Sequence, residues 1–443
     1  METLRNLGPA DLSRNLARGA EAQQVQRASA RLGRRGFLRG LGAIPVARRI
    51  VPAAAVPALA QDEQRFLAAV GKDPRMLVHD TITGVVEAPV HLLREHRVTP
   101  KERMFVRNNQ VLPGGLTLSP YPSANWDLEL SGLVRPSRRI SFSDLARLEQ
   151  TDTVAVLQCA GNGRAFYART VMAKGTQWRR GGMAQVRWKG IRLKQLLDSL
   201  GMLVGTDARF LTAEGRDPAA KPDGDDFEQS VPLADVLETA LLATHMNGEP
   251  IPAIHGGPLR LVLPGYFGSM NVKWVSRLRF EAHTSMSRHH ARRYRTFRER
   301  IEPGSQPVMT EETTNPTWRQ KIKSVIWSPL DDEQRLPGPI AVGGVAWNDG
   351  RTEIVAVELS VDGGISWRRV NLEAPLSPYG WYPWNVTLWY GWNRDINRGG
   401  KIAEFRVRAF DAFGASQPDD GSVHWNPSGY EWFGVDSVKI LLR

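Results

Sequence analysis

The chain has 443 residues, of which 42% are hydrophobic and 23% are charged, as in globular proteins. That length exceeds what one hydrophobic core ordinarily serves, so we expect two domains and an additional segment. No apolar run approaches the roughly 20 residues that a membrane-spanning helix requires, so no membrane span is predicted. The net charge is +12, but residues 1–60 alone carry ten arginines and three acidic residues. Because much of the excess lies in this leader and not on a folded face, no nucleic-acid partner is expected.

Residues 1–60 have the pattern of a twin-arginine export signal. An arginine pair followed by two apolar residues lies within 33–39, as in bacterial signals of this type. A weakly apolar stretch follows and ends at 58–60 in Ala-Leu-Ala, which fits the small-x-small pattern of a cleavage site. We therefore expect residues 1–60 to be a signal peptide and the mature protein to reside in the periplasm. Arg48 and Arg49 interrupt the apolar stretch, and they leave a disordered basic tail as the alternative.

Residues 61–305 have the pattern of an α+β domain, because short β-rich runs alternate with amphipathic stretches. The N-terminal part shows little periodicity, although the segment 80–88 is compatible with an edge strand. The apolar run 154–157 predicts a buried strand, and 193–200 has the apolar spacing of a helix. A further strand is predicted at 260–264, where Pro-Gly closes it.

The pattern changes after residue 305, and residues 306–443 predict a β-sandwich of the immunoglobulin kind. The segment 286–338 is rich in Arg, Pro and Thr, and its later part is interpreted as a linker. An alternating run at 354–361 is followed by an Asp-Gly-Gly turn and a second run, which together predict a hairpin. Alternation returns at 404–409. The predicted apolar face of the first run consists of Val355, Val357, Leu359 and Val361.

Cys159 is the only cysteine in the chain. In an oxidising compartment a single thiol cannot form an internal disulfide and is open to oxidation. A lone cysteine is commonly a small buried hydrophobe, but this one stands where a predicted strand opens into Cys-Ala-Gly-Asn-Gly-Arg at 159–164. The two glycines allow another group to approach closely, and Arg164 favours the thiolate, a soft ligand that transition metals prefer. A cysteine nucleophile is the rival interpretation, although no local His or Asp would activate it, and a zinc site would need more Cys or His.

The residues Leu-Gln-Cys-Ala-Gly-Asn-x-Arg at 157–164 resemble the cofactor-cysteine motif of the sulfite oxidase family of molybdenum enzymes. One such motif would be weak evidence, whereas several in sequence order are specific. The resemblance covers roughly residues 75–443. The other matching segments are Phe-Val-Arg-Asn-Asn at 105–109, Lys-Gly-Thr-Gln-Trp at 174–178, Met-Asn-Gly-Glu-Pro at 246–250, His-x-x-Pro-Leu-Arg at 255–260, Pro-Gly at 264–265, Asn-Val-Lys-Trp at 271–274 and Arg-Arg-Tyr at 292–294.

By this resemblance we expect a sulfite-oxidase-type molybdopterin domain at 61–305, followed by an immunoglobulin-like β-sandwich dimerisation domain at 306–443. The resemblance implies a molybdenum cofactor whose metal is bound by Cys159, with no haem in this chain. It also implies two sets of site residues. The catalytic set, which would bind the substrate or wall its pocket, is Arg107, Arg164, Trp178 and Tyr294. The cofactor-binding set is Arg107, Asn108, Asn109, Cys159, Asp217, His255, Arg260, Asn271, Val272 and Lys273.

Two positions depart from the pattern of the animal members of this family. Asn109 stands where they have His, which bears on a pterin contact. Ser428 stands where they have an active-site arginine from the second domain. Sulfite is a dianion near neutral pH, and the guanidinium groups of Arg107 and Arg164 fit its oxygens. Loss of a third guanidinium predicts weaker binding of sulfite, or a true substrate that is less charged.

The resemblance predicts a periplasmic sulfite dehydrogenase that passes electrons to a c-type cytochrome and forms a homodimer. The alternative among enzymes is a sulfane dehydrogenase subunit of thiosulfate oxidation, or a relative that reduces nitrate or a sulfoxide. The simplest sulfoxide reductases of this superfamily lack the sandwich, which argues against that branch. A non-catalytic secreted β-sandwich protein is the alternative from a different class. Four residues present together argue against it, namely Cys159, Arg107, Arg164 and Tyr294.

Overall fold

The computed structural model describes most of the chain beyond the predicted signal peptide, and its helices are short. No helix among the described residues is long and apolar enough to cross a membrane. The described residues are 58–218, 226–391, 400–418 and 423–443. Their α-helices are α1 (Ala58–Ala69), α2 (Val90–Leu93), α3 (Phe142–Arg147), α4 (Leu193–Ser199), α5 (Leu233–Val236) and α6 (Arg288–Ala291), and their 3₁₀ helices are Arg164–Arg169 and Ala253–His255.

Most of the described elements are β-strands. In chain order they are β1 (Leu77–Asp80), β2 (Val85–Glu87), β3 (Asp127–Gly132), β4 (Val134–Arg135), β5 (Arg138–Ser141), β6 (Thr151–Gln158), β7 (Met183–Arg192), β8 (Leu203–Val204), β9 (Phe210–Gly215), β10 (Glu228–Pro232), β11 (Leu241–Met246), β12 (Glu249–Pro250), β13 (Arg260–Val262), β14 (Val275–Glu281), β15 (Arg295–Phe297), β16 (Thr314–Pro316), β17 (Lys323–Ser328), β18 (Gln334–Arg335), β19 (Gly338–Trp347), β20 (Ile354–Ser360), β21 (Arg368–Arg369), β22 (Asn371–Leu372), β23 (Tyr382–Tyr390), β24 (Lys401–Asp411) and β25 (Asp436–Leu442). Strand β3 pairs with β14 in parallel, and β18 pairs with β25 in parallel. The other pairs among the described strands are antiparallel.

Two five-stranded sheets, which we call the N-terminal sheets, form the framework before residue 282. One has the order β10-β9-β14-β3-β5, and the other has the order β12-β11-β7-β6 with β13 paired to β11. The strand predicted at 154–157 lies in β6, the helix predicted at 193–200 is α4, and the strand predicted at 260–264 is β13. These three predictions are confirmed. Apolar side chains of β3, β9 and β14 share one core.

The later strands form a β-sandwich. A sheet of order β17-β19-β23-β22 faces a sheet of order β18-β25-β24-β20-β21, and both contribute to one apolar core. Strand β24 alternates as predicted, with Phe405, Val407 and Ala409 fully buried between the sheets. The predicted fold class, an α+β domain followed by a β-sandwich, is confirmed.

The predicted apolar face of 354–361 is partly wrong. Val357 and Leu359 are buried, but Val355 is 50% exposed and Val361 is 38% exposed. The pairing of β20 with β24 shifts register at the start of β20, so a bulge turns Val355 outward while both its chain neighbours are buried. Val361 lies beyond the end of β20, in the turn that follows.

The N-terminal segment and the predicted linker are more regular than the sequence predicts. The single edge strand expected at 80–88 is a hairpin of β1 and β2, and α1 was not predicted. Strand β17 lies within the segment interpreted as a linker and belongs to the sandwich. Leu67 of α1 and Val325 of β17 are buried in the same cluster as Trp347, so a tertiary contact stabilises both elements. Local composition does not reveal such a contact.

A buried ion pair joins the sandwich to the N-terminal sheets. Arg180, just before β7, donates from Nε to Asp436 at 2.7 Å and from Nη1 to Asp331 at 2.8 Å. The second carboxylate oxygen of Asp436 accepts the backbone N–H of Ile326 at 2.9 Å. The Arg180 and Asp436 side chains are 11% and 6% exposed, so the pair is shielded from water and depends on both partners.

Replacement of Asp436 by alanine is expected to lower the free energy of unfolding by about 3 kcal/mol, because the Arg180 guanidinium stays buried with the more exposed Asp331 as its remaining carboxylate. Denaturant titration followed by circular dichroism measures this loss. Asp198→Ala is the matched control, since Asp198 forms an exposed pair with Lys194 and its removal should be nearly neutral. Equal losses in the two variants would contradict the structural role of Asp436.

Candidate active site

Cys159 follows the last residue of β6 and is held by the backbone around it. Its N–H donates to the carbonyl oxygen of Gly182 at 2.8 Å, and its carbonyl oxygen accepts the N–H of Asn162 at 2.9 Å. The side-chain oxygen of Asn162 in turn accepts the N–H of Gly182 at 3.1 Å. Cys159 is not in a disulfide, is 8% exposed as a residue and lines a cavity. The residue is therefore placed by the strand end and not by its own side chain.

The loop 159–164 is enclosed from the other side by the C-terminal part of the chain. Gly163 has a φ of +94°, and a Cβ there would lie 2.5 Å from the Trp432 ring, so glycine alone fits. The buried Nζ of Lys323 donates to the carbonyl oxygens of Asn162 and Trp432, each at 3.0 Å. The glycines of the loop predicted that another group approaches it closely. That group belongs to the C-terminal part of the same chain.

The cavity beside Cys159 lies at the ends of strands from both N-terminal sheets. Its lining comes from the segment after β2, from residues that follow β6 and β9, from β13, and from the segments before β14 and β15. The structure therefore brings distant parts of the chain together. The predicted site residues that line the cavity are Arg107, Asn108, Asn109, Cys159, Asp217, His255, Arg260, Asn271, Lys273 and Tyr294.

Arg164 is buried but does not line this cavity. Its Nε donates to the carbonyl oxygen of Ser428 at 2.7 Å, and its Nη1 donates to that of Thr176, also at 2.7 Å. Its guanidinium carbon lies 5.4 Å from the centre of the Tyr430 ring. We expected the Arg164 guanidinium to bind an oxyanion. In the structure its hydrogen bond to Ser428 joins the cysteine loop to the second domain.

Trp178 and Val272 also lie outside the cavity lining. Trp178 is fully buried, and Phe105 lines the cavity in front of it, with the two rings edge to face at 5.9 Å. Val272 is buried in the core, whereas its chain neighbours Asn271 and Lys273 face the cavity. The sequence motif does not distinguish the three positions 271–273. In the tertiary structure the middle side chain packs in the core, and the other two line the cavity.

Arg107, Asn109 and Tyr294 form one hydrogen-bonded group on the cavity wall. Arg107 donates from Nη2 to Oδ1 of Asn109 at 3.0 Å, and Nδ2 of Asn109 donates to the Tyr294 hydroxyl at 2.8 Å. Tyr294 has a φ of +51°, which is uncommon for a residue other than glycine and persists where surrounding contacts impose it. Because its oxygen accepts from Asn109, the Tyr294 O–H is left to donate to another group. Asn109, which stands where the animal members of the family have His, thus connects Arg107 to Tyr294.

Cationic side chains also line the cavity. Nζ of Lys273 donates to Oδ1 of Asn108 at 2.5 Å and to the Ile254 carbonyl oxygen at 2.7 Å. Arg260 donates from Nη1 to the His255 carbonyl oxygen at 2.7 Å, whereas its buried Nε has no partner among the described residues. Burial lowers the pKa of Lys273 well below its usual range and that of Arg260 to about 9. These groups would be stabilised by a bound anion.

Asp217 is the one carboxylate among the described residues that line the cavity. Its Oδ1 is buried and has no hydrogen-bond partner within the described part of the chain. Burial raises the pKa of Asp217 to about 7, although the charge of Lys273 acts in the opposite direction. A Cβ on Gly215 would lie 2.3 Å from this oxygen, so the glycine makes room for the carboxyl group. An acceptor is thus available to a ligand that carries N–H groups.

Sequence reasoning missed some residues at this cavity. Ser269 and Phe227 line it, and the Ser269 hydroxyl is buried with no partner among the described residues. Ser269 lies between two matched motifs, so its position in the run could have indicated it. Lys72 lies behind the cavity with Nζ 2.7 Å from Nε2 of His255. No motif marks the segment that contains Lys72.

The donor set fits a large anionic cofactor that carries a soft metal. Buried charges of one sign require a counter-ion, and the cavity has more cations than carboxylates. The unpartnered Nε of Arg260, Oδ1 of Asp217 and Oγ of Ser269 are groups that a polar ligand would satisfy. No cluster of three or more His, Cys, Asp or Glu in the described ranges could hold a metal ion. A metal on Cys159 would therefore take further ligands from the cofactor.

Two family models match the chain and together span more than half of it. The oxidoreductase molybdopterin-binding domain matches residues 117–289, and the Mo-co oxidoreductase dimerisation domain matches residues 314–438. The chain belongs to the sulfite oxidase family of molybdenum-cofactor enzymes. The predicted family and the predicted molybdenum cofactor are confirmed by these matches and by the relatives below.

Relatives in this family differ in their reported activities. Mitochondrial sulfite oxidase of Mus musculus is 30% identical over 371 residues, which are 81% of this chain and 64% of that protein. A nitrate reductase of Phaseolus vulgaris is 29% identical over 381 residues, which are 79% of this chain and 40% of that protein. The crystal structure of the sulfane dehydrogenase SoxCD from Paracoccus pantotrophus matches with a TM-score of 0.67 and 25% identity, over 89% of this chain and 92% of that chain. The chain thus spans less than two thirds of the length of the mouse protein.

Asp217→Asn is expected to stabilise the cofactor-free protein at pH 8 more than at pH 5. The folded-state pKa of about 7 lies above the usual value of 3.8, so the folded state holds the proton more tightly. Stability contributed by Asp217 therefore falls as pH rises from about 4 to 7. The neutral amide of the variant removes this pH dependence. At pH 8 the free energy of unfolding of the variant should exceed that of the wild type by at most about 4 kcal/mol. Denaturant titrations at both pH values measure it, and a difference that does not change with pH would contradict the buried carboxyl.

Proposed function

We propose that this protein oxidises sulfite to sulfate in the periplasm and passes the electrons to a c-type cytochrome. The observation that carries the proposal is the cavity shared by the Cys159 thiol, the Arg107 guanidinium and the Tyr294 hydroxyl. Similarity to the mouse protein named sulfite oxidase supports the choice of substrate. Each turnover would consume one sulfite and one water, and it would release sulfate, two protons and two electrons.

The cavity residues divide between the cofactor and the substrate. Arg260, Lys273 and Asp217 would hold the phosphate and pterin, and Cys159 would bind the metal. When bound, the molybdenum cofactor supplies a redox centre that accepts two electrons from the substrate. The protein's own contribution is to bind this group through buried charges and to place its metal beside the substrate end.

Arg107 and Tyr294 would act on the substrate. A guanidinium group binds an oxyanion through two parallel N–H donors, and Asn109 keeps the Arg107 side chain in place. The Tyr294 O–H, oriented by the same asparagine, would donate to a substrate oxygen. Phe105 and Leu157 line this part of the cavity and exclude water, which strengthens both interactions.

The purified wild-type protein should contain about one molybdenum per chain, since one Cys159 serves one cofactor. Cys159→Ser is expected to lose turnover while the fold is retained, because a hydroxyl is a harder and weaker ligand than a thiolate. Metal analysis, sulfite-dependent reduction of cytochrome c and circular dichroism measure the three quantities. Sulfite oxidation by a protein that contains no molybdenum would contradict the proposal.

Substitutions of the two arginines should have different effects. Arg107→Gln is expected to raise KM for sulfite by roughly tenfold or more, through loss of a charge-assisted hydrogen bond in the cavity. Arg164→Gln is expected mainly to lower the thermal unfolding temperature, because its guanidinium bonds buried carbonyl oxygens outside the cavity. Steady-state kinetics and thermal unfolding of both variants make the comparison. An equal rise in KM would assign Arg164 to substrate binding instead.

Sulfane dehydrogenation is the second candidate. Ser428 favours a substrate other than sulfite, because it supplies no charge and its carbonyl oxygen accepts one N–H of Arg164. An anion site with fewer guanidinium groups suits a substrate that is less charged than sulfite. Similarity to SoxCD over 92% of that chain supports the same candidate. Assays of sulfite, thiosulfate and methionine sulfoxide, with cytochrome c or a dye as the redox partner, would decide between the substrates.

Export and dimerisation complete the proposal. The arginine pair within 33–39 supports export by the twin-arginine pathway. The match of 314–438 to a dimerisation domain supports a homodimer.

A further inference from the structure

Lys72 lies directly behind the cofactor cavity, in the segment that follows α1. Its side chain is buried, and its Nζ is 2.7 Å from Nε2 of His255, which lines the cavity. The same Nζ donates to the carbonyl oxygen of Lys101 and, at 3.1 Å, to that of Met104. Lys72 stands outside both matched family domains.

These three contacts determine how Lys72 and His255 share their protons. An ammonium group has three N–H donors and no acceptor, and two carbonyl oxygens and one ring nitrogen are placed to receive them. In water the amine is more basic than imidazole by about four pKa units, so a proton between the two groups belongs to Lys72. Burial lowers the pKa of Lys72, but an anionic ligand in the cavity favours the ammonium form again. Nε2 of His255 is then an acceptor, and the ring proton lies on Nδ1.

Nδ1 of His255 is the ring atom that remains for a ligand. Nε2 is engaged by Lys72, and none of the described residues offers Nδ1 a hydrogen-bond acceptor. A doubly protonated ring is disfavoured, because burial and the nearby cations lower the pKa of His255 well below its usual value. The neutral ring therefore adds an N–H donor to the end of the cavity that already holds Lys273 and Arg260.

We infer that Lys72 is a positioning residue for the cofactor: it holds His255 as the tautomer protonated on Nδ1, so that this imidazole donates a hydrogen bond to the anionic cofactor. The inference rests on cofactor binding and is independent of which sulfur compound the enzyme oxidises. For a histidine that ligates a metal, loss of the partner that fixes its orientation and tautomer typically costs roughly 10–100-fold in affinity or activity, and we expect the lower part of that range for a histidine that donates to a cofactor. Lys72 would thus connect the N-terminal segment to cofactor retention.

The test uses the cofactor-loaded protein and the variants Lys72→Met, His255→Gln and their combination. Methionine has nearly the length of lysine but has no N–H to donate. The first readout is molybdenum and pterin per chain after timed heating. The second is nitrogen NMR of histidine-labelled protein, in which the signal missing from His255→Gln assigns His255. Lys194→Met is the control, because Lys194 is an exposed lysine that pairs with Asp198 and does not line the cavity.

Lys72→Met is expected to lose the cofactor roughly tenfold faster than the wild type, and Lys194→Met is expected to match the wild type. The double variant should lose it no faster than His255→Gln, since Lys72 acts through His255. Additive losses in the double variant would overturn the inference. So would a wild-type His255 protonated on Nε2, donating to the Lys101 carbonyl oxygen 3.3 Å away. That measurement needs no Lys72 variant, and both readouts are separate from the sulfite assay.

Discussion

Arg260 is buried and Lys273 is partly buried at one cavity, and Asp217 is the one carboxylate among the described residues that line it. Burial of unmatched charge in a protein interior costs several kcal/mol for each group, unless an opposite charge is close. The anionic cofactor of this family provides that charge, and a ligand that binds the folded state also stabilises it. Formation of the site and retention of the cofactor are therefore linked, and the contact of His255 with Lys72 connects the site to the N-terminal segment.

The cysteine loop is the second point on which the site depends. Lys323 closes this loop from the sandwich, and Arg164 bonds the carbonyl oxygen of Ser428. A ligand held by elements of two domains keeps its position, which a metal site requires. The same contacts engage Nε and Nη1 of Arg164 with backbone carbonyl oxygens, outside the cavity lining. Arg107 lines the cavity and is connected to Tyr294 through an asparagine.

Much of the site was predictable because its residues lie in short ordered motifs. The strand that ends just before Cys159 and the positions of Arg107, His255 and Lys273 follow from local patterns. Patterns could not separate Val272 from its neighbours, since a run of motif residues does not state which side chain turns inward. Lys72 gave no signal, because a buried lysine in an aperiodic segment is recognised only from what surrounds it.

The sequence by itself determined the α+β and β-sandwich classes and the family, and it marked Cys159 as the candidate metal ligand, because alternation and motif spacing are local properties. Only the tertiary structure decided which charges meet. It turned Arg164 away from the cavity, placed Phe105 in front of Trp178, and made Asn109 the bridge between an arginine and a tyrosine. Hydrogen bonds and burial depend on atoms that are distant in the chain, and their pairing is fixed only when the sheets and the sandwich pack together.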